Sequence, residues 1–559
     1  MPYDLTTSAG LDERVYKARK RSEKLFSNFA NFRIYCQEVA ELFWPERANF
    51  TVDKTPGIDM QDGLFTGTPQ MLRRDLANRI GTLTRPPSDE WFRLVARPEE
   101  MMTDDSVRYW CDLVTRQQRR IIYDRNANFT ATLGLADQEY VCFGNSVSWV
   151  AYNRAETGLV FRDAHLRDCA WSVNEEGHVD ELYQKMKIPL GQCARLFGRD
   201  KLPKEWQKLL DKPDGRFHEV EIIRGAMPVD PEEYRKGGRP PTRMKVAVLY
   251  FTNDCKSNEK GSLGEGFCEV FPYHVRRWMP MGEPFGRSLC TNVALADART
   301  LNIADMAALK AIEMVADPPR WAEDEAVLGT VDLVPGGVTY VDTSKMEGTR
   351  DPIGKIDGGD PRSVLEFLMY KRNAMATQFF ENLWKFPDRE MTAFETGERL
   401  EIMTQEATPV FQPMEADNAR LMDIVFSKAS AKQAYPVPPQ RLLDEGEAEW
   451  EFETPVTRSL RKARAMKAQQ ILTVIATAKE AIPEFGNQLN VVEMEREMLA
   501  GMGPENWIKP REVADQDAAI QQEAMVEDQQ DQDAMAAAQI AAGAKPENLR
   551  MIEEAVSGA

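Results

Sequence analysis

The residues able to do chemistry are few and are spaced badly for it. Four histidines, His165, His178, His218 and His274, form no H-x-x-H or H-E-x-x-H pair, so a histidine zinc site is not expected. The eight cysteines (Cys36, Cys111, Cys142, Cys169, Cys193, Cys255, Cys268, Cys290) include no C-x-x-C pair. That disfavours a thiolate metal site or a disulfide framework and predicts small buried hydrophobes. GSLGEG (261–266) and GMGPEN (501–506) carry the glycines of a phosphate cradle without the G-x-x-x-x-G-K-[ST] order or a full G-x-G-x-x-G between strand and helix, which argues against an NTPase. No G-x-S-x-G elbow is present. Carboxylates gather at Asp104-Asp105, at Glu323-Asp324-Glu325 and along Asp444–Glu453. A two-metal nuclease would need such groups to converge in space; as sequence neighbours they are expected to be solvated faces. Arg73-Arg74, Arg119-Arg120 and Arg461-Lys462-Arg464 lie on predicted helices and are expected to be surface faces too. The expectation is a protein with no catalytic residues, no metal and no cofactor.

The elements that would hold any site are easier to read. A helix over Leu289–Asp317 stops at Pro318-Pro319, which removes two N–H donors and pushes the preceding residue out of the α region. Asp360-Pro361 opens a second helix that runs to about Trp384, with Leu365, Leu368, Met375, Phe379 and Leu383 spaced for one apolar face. Between them lie forty-odd residues rich in Gly and Pro. The layout suggests a two-helix stalk with a small module at its tip; an internal helix hairpin in an α+β domain fits the same residues. In the first helix Leu295, Leu301, Ile303, Met306, Leu309, Ile312 and Val315 occupy more than one stripe, so it needs several packing partners.

The chain has 559 residues and 43% apolar content, enough for several domains. No run of eighteen apolar residues could cross a bilayer, and MPYDLTTSAG lacks the pattern of a secretory signal, so no membrane partner and a cytoplasmic origin are expected. Net charge −19 argues against a protein whose main task is to grip nucleic acid, because phosphate neutralisation needs clustered cations.

Along the chain, residues 11–46 read as one amphipathic helix ended by Pro45, Pro69–Thr84 as a second, DEWFRLVAR as extended, and 104–124 and 128–143 as two more helices, the first capped from Thr103-Asp104-Asp105. From Ser146 the period falls to two: SVSWVAYN, GLVFRDA, CAWSVN, VDELYQKMKI, FHEVEIIRG, KVAVLYFT and GFCEVFPYHVRRWMPM read as strands, with short helices at Pro189–Phe197 and Pro203–Leu210 between them. The fold class is α+β, mainly helical. Thr392 caps a further helix, AFETGERLEIMTQEA, which Pro409 and Pro413 should kink or break before it resumes at Met414. AEWEFETP reads as a strand, 457–500 as helical, and the Ala/Gln/Glu-rich end as a peripheral helical or disordered tail.

Several stretches together resemble the portal, or head-to-tail connecting, proteins of short-tailed bacteriophages, up to about Pro510. They are Leu76-Ala77 with the following Pro-Pro and Trp91-Phe92-Arg93-Leu94; Phe285-Gly286-Arg287-Ser288; Leu301-Asn302; Asp317-Pro318-Pro319; Pro335-Gly336-Gly337; Met391-Thr392-Ala393; Glu401 with Thr408-Pro409-Val410; and the Pro-rich turn at 436–439. Pro413 departs from that pattern by standing where helix is expected to continue. The resemblance implies a wing (1–287), stem helices (288–317 and 360–384) around a clip (318–359), a tunnel loop with a long helix and a return to the wing (385–456), a helical crown (457–510) and a tail (511–559). It implies a dodecameric ring at one capsid vertex of the virion, assembled in the host cytoplasm, through which double-stranded DNA is packaged by a terminase motor and later ejected. The implied partners are further copies of the chain, terminase, tail adaptor and nozzle proteins, capsid and scaffold proteins, and internal core proteins. Lys385, Arg389 and Thr392 of the tunnel loop would face the DNA. Trp321 and Tyr340 of the clip would dock terminase and the adaptor, burial in the clip's own small core being the competing role. Another ring-forming head–tail adaptor, a metal-dependent nuclease and a cytoplasmic scaffold are the alternatives.

Overall fold

The computed structural model describes residues 11–53, 57–58, 60–87, 89–230, 244–253, 261–316, 320–322, 340, 342, 353–355, 362–381, 393–453, 455–479, 494–495 and 498–499. The chain divides into two units, Met1–Phe92 with Thr115–Pro436, and Arg93–Val114 with Val437–Ala559. Helices and antiparallel strands follow one another as an α+β fold.

In the first unit, helices α1 (Leu11–Asn28), α2 (Ala30–Phe43) and α3 (Thr68–Thr84) precede α4 (Asp105–Ile122, which begins in the other unit) and α5 (Phe129–Phe143). The expected single helix over 11–46 is two, interrupted at Phe29, whose backbone sits at φ −84°, ψ 1°. Burial of Phe29 against Trp171 (ring centroids 4.7 Å) and Phe285 (5.6 Å) favours that bend over a straight continuation. Arg73 of α3 is also not the surface cation expected. It is buried, donates from Nε to the Phe43 carbonyl at 3.0 Å, and lies over the Trp44 ring at 4.3 Å.

Strands β2 (Asn145–Tyr152), β3 (Leu159–Asp163) and β9 (Tyr273–Arg277) form a three-stranded sheet in the order β3-β2-β9. Strands β4 (Cys169–Val173), β5 (Val179–Pro189), β6 (Glu219–Pro228), β7 (Val246–Phe251) and β8 (Ser262–Cys268) form a five-stranded meander. Helices α6 (Leu190–Phe197) and α7 (Lys204–Leu210) fill the β5-to-β6 connection. The stretch expected as one strand, GFCEVFPYHVRRWMPM, is two strands in two sheets. Pro272 has no N–H to give a ladder, so the chain leaves one sheet before it and enters the other after it. GSLGEG, weighed above as a phosphate loop, is strand backbone.

Three long helices follow: Leu289–Ala316 (28 residues), Arg362–Gln378 (17 residues) and Ala393–Ala431 (39 residues). The second ends sooner than expected, because Phe380 takes a left-handed φ of +57° just after Phe379 is buried. The third runs without a break through Pro409 and Pro413, where one was expected. Each proline costs one backbone hydrogen bond, and the two losses fall one turn apart on the same side, so the turns on either flank keep theirs.

In the second unit β1 (Phe92–Arg97) pairs with β12 (Glu447–Phe452), and a helix spans Pro455–Lys479. Strand alternation in AEWEFE puts Glu449 and Glu451 on one side and Trp450, buried, on the other. Those glutamates face arginines: Glu451 accepts from Arg93 at 2.7 Å, Glu449 from Arg97 at 3.2 Å, and Glu453 from Arg461 at 3.3 Å. Asp104 caps α4 as expected, accepting from the Ser106 N–H at 2.9 Å.

Candidate assembly surface

The long helix Leu289–Ala316 is rooted by the tetrapeptide Phe285-Gly286-Arg287-Ser288, each residue for its own reason. Phe285 stacks on Phe32 at 4.4 Å. A Cβ on Gly286 would lie 2.4 Å from the Trp278 carbonyl oxygen and 2.5 Å from its nitrogen, so only glycine lets these two stretches of backbone meet. Arg287 lies over the Tyr35 ring at 5.3 Å, and its N–H donates to the Trp278 carbonyl at 2.9 Å. Ser288 caps the helix: its Oγ accepts from the Thr291 N–H at 3.2 Å and donates to the Val141 carbonyl at 2.6 Å.

The end of α5 supplies the other half of the root. Gly144 takes φ +75°, and its carbonyl accepts from the Trp278 N–H at 2.7 Å. Asn145 is buried and brackets Gly286, donating to its carbonyl and accepting from its N–H, both at 2.8 Å. Thr291 donates to the Cys142 carbonyl at 2.7 Å. About three turns further, Asn302 accepts from the Phe65 N–H at 2.8 Å and donates to the Gly63 carbonyl at 3.0 Å, while Leu301 beside it is fully buried. Leu301-Asn302 is therefore a joint, apolar on one side and amide on the other.

The helix Arg362–Gln378 is clamped to this one by charge. Asp297 accepts from Lys371 Nζ at 2.8 Å and from Gln378 Nε2 at 2.9 Å, and Asp305 accepts from Arg372 at 2.8 Å. The Lys371 ammonium holds the Asp297 carboxyl below its ordinary range. Leu368, Met375 and Phe379 are buried as their spacing predicts; Leu365 is not.

Beyond Ala308 burial stops. Leu309 is 50% exposed, and Ile312, Met314 and Val315 are exposed with it; before that point Ile303, at 64%, is exposed too. On the second helix Leu365, Phe367, Met369 and Tyr370 are exposed, Tyr370 at 68%. Neither helix is long and apolar enough to cross a membrane, as holds for every helix among the described residues. Large apolar side chains on several sides of two helices form a surface made to be covered. Phe367, Met369 and Tyr370 escaped the sequence reading, which sought one face; the unbroken apolar run from Phe367 to Tyr370 was the signal.

Of the residues singled out from sequence, Lys385, Arg389 and Thr392 lie outside the described residues. Trp321 has described backbone in a short ribbon, β10 (Arg320–Ala322) paired with β11 (Ile353–Lys355), opposite Gly354. Tyr340 is 70% exposed, so it is not packed in a core. The 39-residue helix is held at its C-terminal half by Met414, Leu421, Met422 and Val425, all buried. His274 of β9 donates from Nε2 to the Asp417 carbonyl at 2.9 Å. Burial, reinforced by Arg276, pushes the His274 pKa down to about 3, so the ring is neutral there.

The centre of the first unit holds charge that no sequence pattern reported. Asp137 accepts from Arg276 at 2.7 Å on one oxygen and from Arg85 on the other, all three buried. Arg14 of α1 makes a two-pronged bond to Glu265 of β8, at 3.1 and 2.8 Å. These pairs fix elements to each other; losing one partner would strand a buried charge at a cost of about 3–5 kcal/mol. Seven cysteines are described, all buried. Among the described residues no three His, Cys, Asp or Glu side chains are grouped to hold a metal ion.

Residues 16–508 match the family described as bacteriophage head to tail connecting protein. The chain is 24% identical over 414 residues, 73% of each chain, to the probable portal protein of Bordetella phage BPP-1. It is 22% identical over 434 residues, 76% of each, to the portal protein of Salmonella phage epsilon15.

Proposed function

This chain belongs to the bacteriophage head to tail connecting proteins, and we propose that it is the portal of its virion, a ring of twelve copies at one capsid vertex through which double-stranded DNA enters and later leaves. The observation that carries this reading is the exposed apolar surface on several sides of the two clamped helices. A subunit in a ring gives one flank and receives another, and a heterologous contact of that kind closes when its rotation divides a full turn. Such an arrangement would cover the Leu309 and Ile312 side of one copy with the exposed Phe367, Met369 and Tyr370 of the next.

Under this reading 1–287 is the wing, 288–317 and 360–384 the stem, 318–359 the clip, 385–456 the tunnel loop with its long helix and the return to the wing, 457–510 the crown and 511–559 the tail. Lys385 and Arg389, with Thr392, stand in the loop before the 39-residue helix and touch the passing backbone weakly. The chain's net charge of −19 supports weak contact, since grip by counterion release needs many clustered cations. Trp321 and the exposed Tyr340 serve the docking of terminase and then of the tail adaptor. Work on DNA is left to that separate motor, in keeping with the lack of a nucleotide-binding motif. Capsid, scaffold, internal core and tail nozzle proteins complete the set of partners.

Electron microscopy and mass photometry of the full-length protein test the reading. Rings with a central hole and a mass near twelve subunits are expected; a protein that stays monomeric even with its scaffold present would overturn it. Lys385→Glu/Arg389→Glu is expected to slow packaging and ejection while leaving rings intact. Normal rates in that variant would remove the loop from the mechanism.

A further inference from the structure

The face of the three-stranded sheet and that of the meander enclose, with α6, a cavity of about 450 Å³ that none of the roles above uses. Cavities of roughly 300–1,000 Å³ are the usual size of a binding pocket. Its floor is apolar: Val160 on β3, Met186 and Ile188 on β5, Ile222 on β6, and Leu196 and Phe197 on α6. Its charged groups are of one sign. Arg154, Arg162 and Arg195 line it, all three exposed, and no aspartate or glutamate does. Among the described residues none of these three arginines has a carboxylate partner; Arg195 Nε only reaches back to the Gly191 carbonyl at 3.2 Å.

Other arginines of this acidic chain meet carboxylates, as at Arg93, Arg97 and Arg461, or are held by buried carbonyl, amide and hydroxyl oxygens, as at Arg73 and Arg224. Three unmatched ones around one apolar hollow are a complementary charge waiting for its opposite. The same geometry disfavours a nucleic-acid base. Stacking would need the open face of an aromatic ring, and Trp149, the largest ring in the lining, already carries Arg224 at 3.5 Å, with Lys428 6.0 Å from its centroid. Arg224 is fixed in that position by donating to the Tyr273 hydroxyl at 2.7 Å and to Gln184. Of the other rings in the lining, Phe197 packs on Tyr250 at 5.4 Å and Lys432 lies 5.8 Å from the Tyr152 centroid, so the surface left open is mostly aliphatic. We propose that this cavity docks an acidic peptide segment of a partner protein, which seats one aliphatic side chain on the Ile188 and Ile222 floor and sets its flanking carboxylates against Arg154, Arg162 and Arg195.

Fluorescence anisotropy of a labelled short peptide, one leucine flanked by glutamates, titrated with the full-length protein tests this. Saturable binding in the micromolar range is expected, weakened about tenfold by Arg154→Glu/Arg162→Glu/Arg195→Glu and also by raising the salt. Because the three arginines are exposed, the thermal transition of that variant should match the wild type. Replacing the peptide's leucine with serine is expected to weaken binding as much and needs no change in the protein. Affinity indifferent to the three arginines, affinity indifferent to the leucine, or displacement of the peptide by a single-stranded oligothymidine of equal charge would each overturn the proposal, as would the lack of saturable binding up to millimolar protein.

Discussion

The two ends of one helix, Leu289–Ala316, are built on opposite plans. Its first five turns are consumed by the rest of the chain: Ser288, Thr291 and Asn302 bond to backbone, and Ala294, Leu295, Ala298 and Leu301 are buried. Its last two turns hold Leu309, Ile312, Met314 and Val315 and bury none of them. Both ends are apolar, so hydrophobicity does not tell them apart. What separates them is polar satisfaction: the root is tied by side-chain-to-backbone bonds with specific partners, and the far end sets exposed apolar side chains among the solvent-facing Lys310 and Glu313. A surface of the first kind serves the folding of one chain, and one of the second kind serves association.

The largest effect should come from breaking the root. Gly286→Val would force a side chain onto the Trp278 backbone at 2.4 Å and is expected to cost about 3 kcal/mol or more, seen as a lower urea midpoint and loss of soluble protein. The far end should answer differently. Leu309→Asp/Ile312→Asp is expected to abolish rings in mass photometry while moving the urea midpoint of the chain by less than about 0.5 kcal/mol, as exposed substitutions do. If that double variant unfolded the chain instead, the far end would be part of the monomer's own core and the contrast would collapse.

A third measurement sharpens the contrast on the 39-residue helix. Burial raises the Asp417 pKa to about 6, against the pull of Arg276, Arg420 and Arg277. Its unfolded value is about 3.9, so between those limits the folded chain binds more protons than the unfolded one. Stability is then highest at the acid end and is lost as pH rises toward 6. Asp417→Asn should remove this slope, worth at most about 3 kcal/mol. Thermal unfolding between pH 4 and 7, performed on the ring-deficient Leu309→Asp/Ile312→Asp background, reads it without a contribution from association. Equal slopes in the presence and absence of Asp417 would show that its carboxyl is not desolvated as described.

Sequence was informative wherever punctuation was local. Pro69, Pro86 and the cap at Asp104 mark helix limits within a residue or two, and the switch to period two at Ser146 marks the start of the sheets. It misled where tertiary packing overrode punctuation: Phe29 interrupts a helix without any breaker, Phe380 ends one in a left-handed turn, and Pro409 and Pro413 fail to end another. It was silent on Asp137 with Arg85 and Arg276, whose sequence separations are 52 and 139 residues. Pattern windows a dozen residues wide cannot see such pairs. The assembly surface was half legible: the multiple stripes of the first long helix suggested it, while the second helix was credited with one face only.

The bond between Arg14 and Glu265 spans 251 residues and joins the first helix to an edge strand of the meander. On a ribosome adding about 5–20 residues per second, α1 would wait on the order of 10–50 s before its partner strand emerged. During that interval Arg14 lacks its native carboxylate, and only the part of α1 that packs on α2 and β4 has its partners. The growing chain thus has a long period before its first helix can be sealed, in which that helix depends on whatever holds it away from other chains.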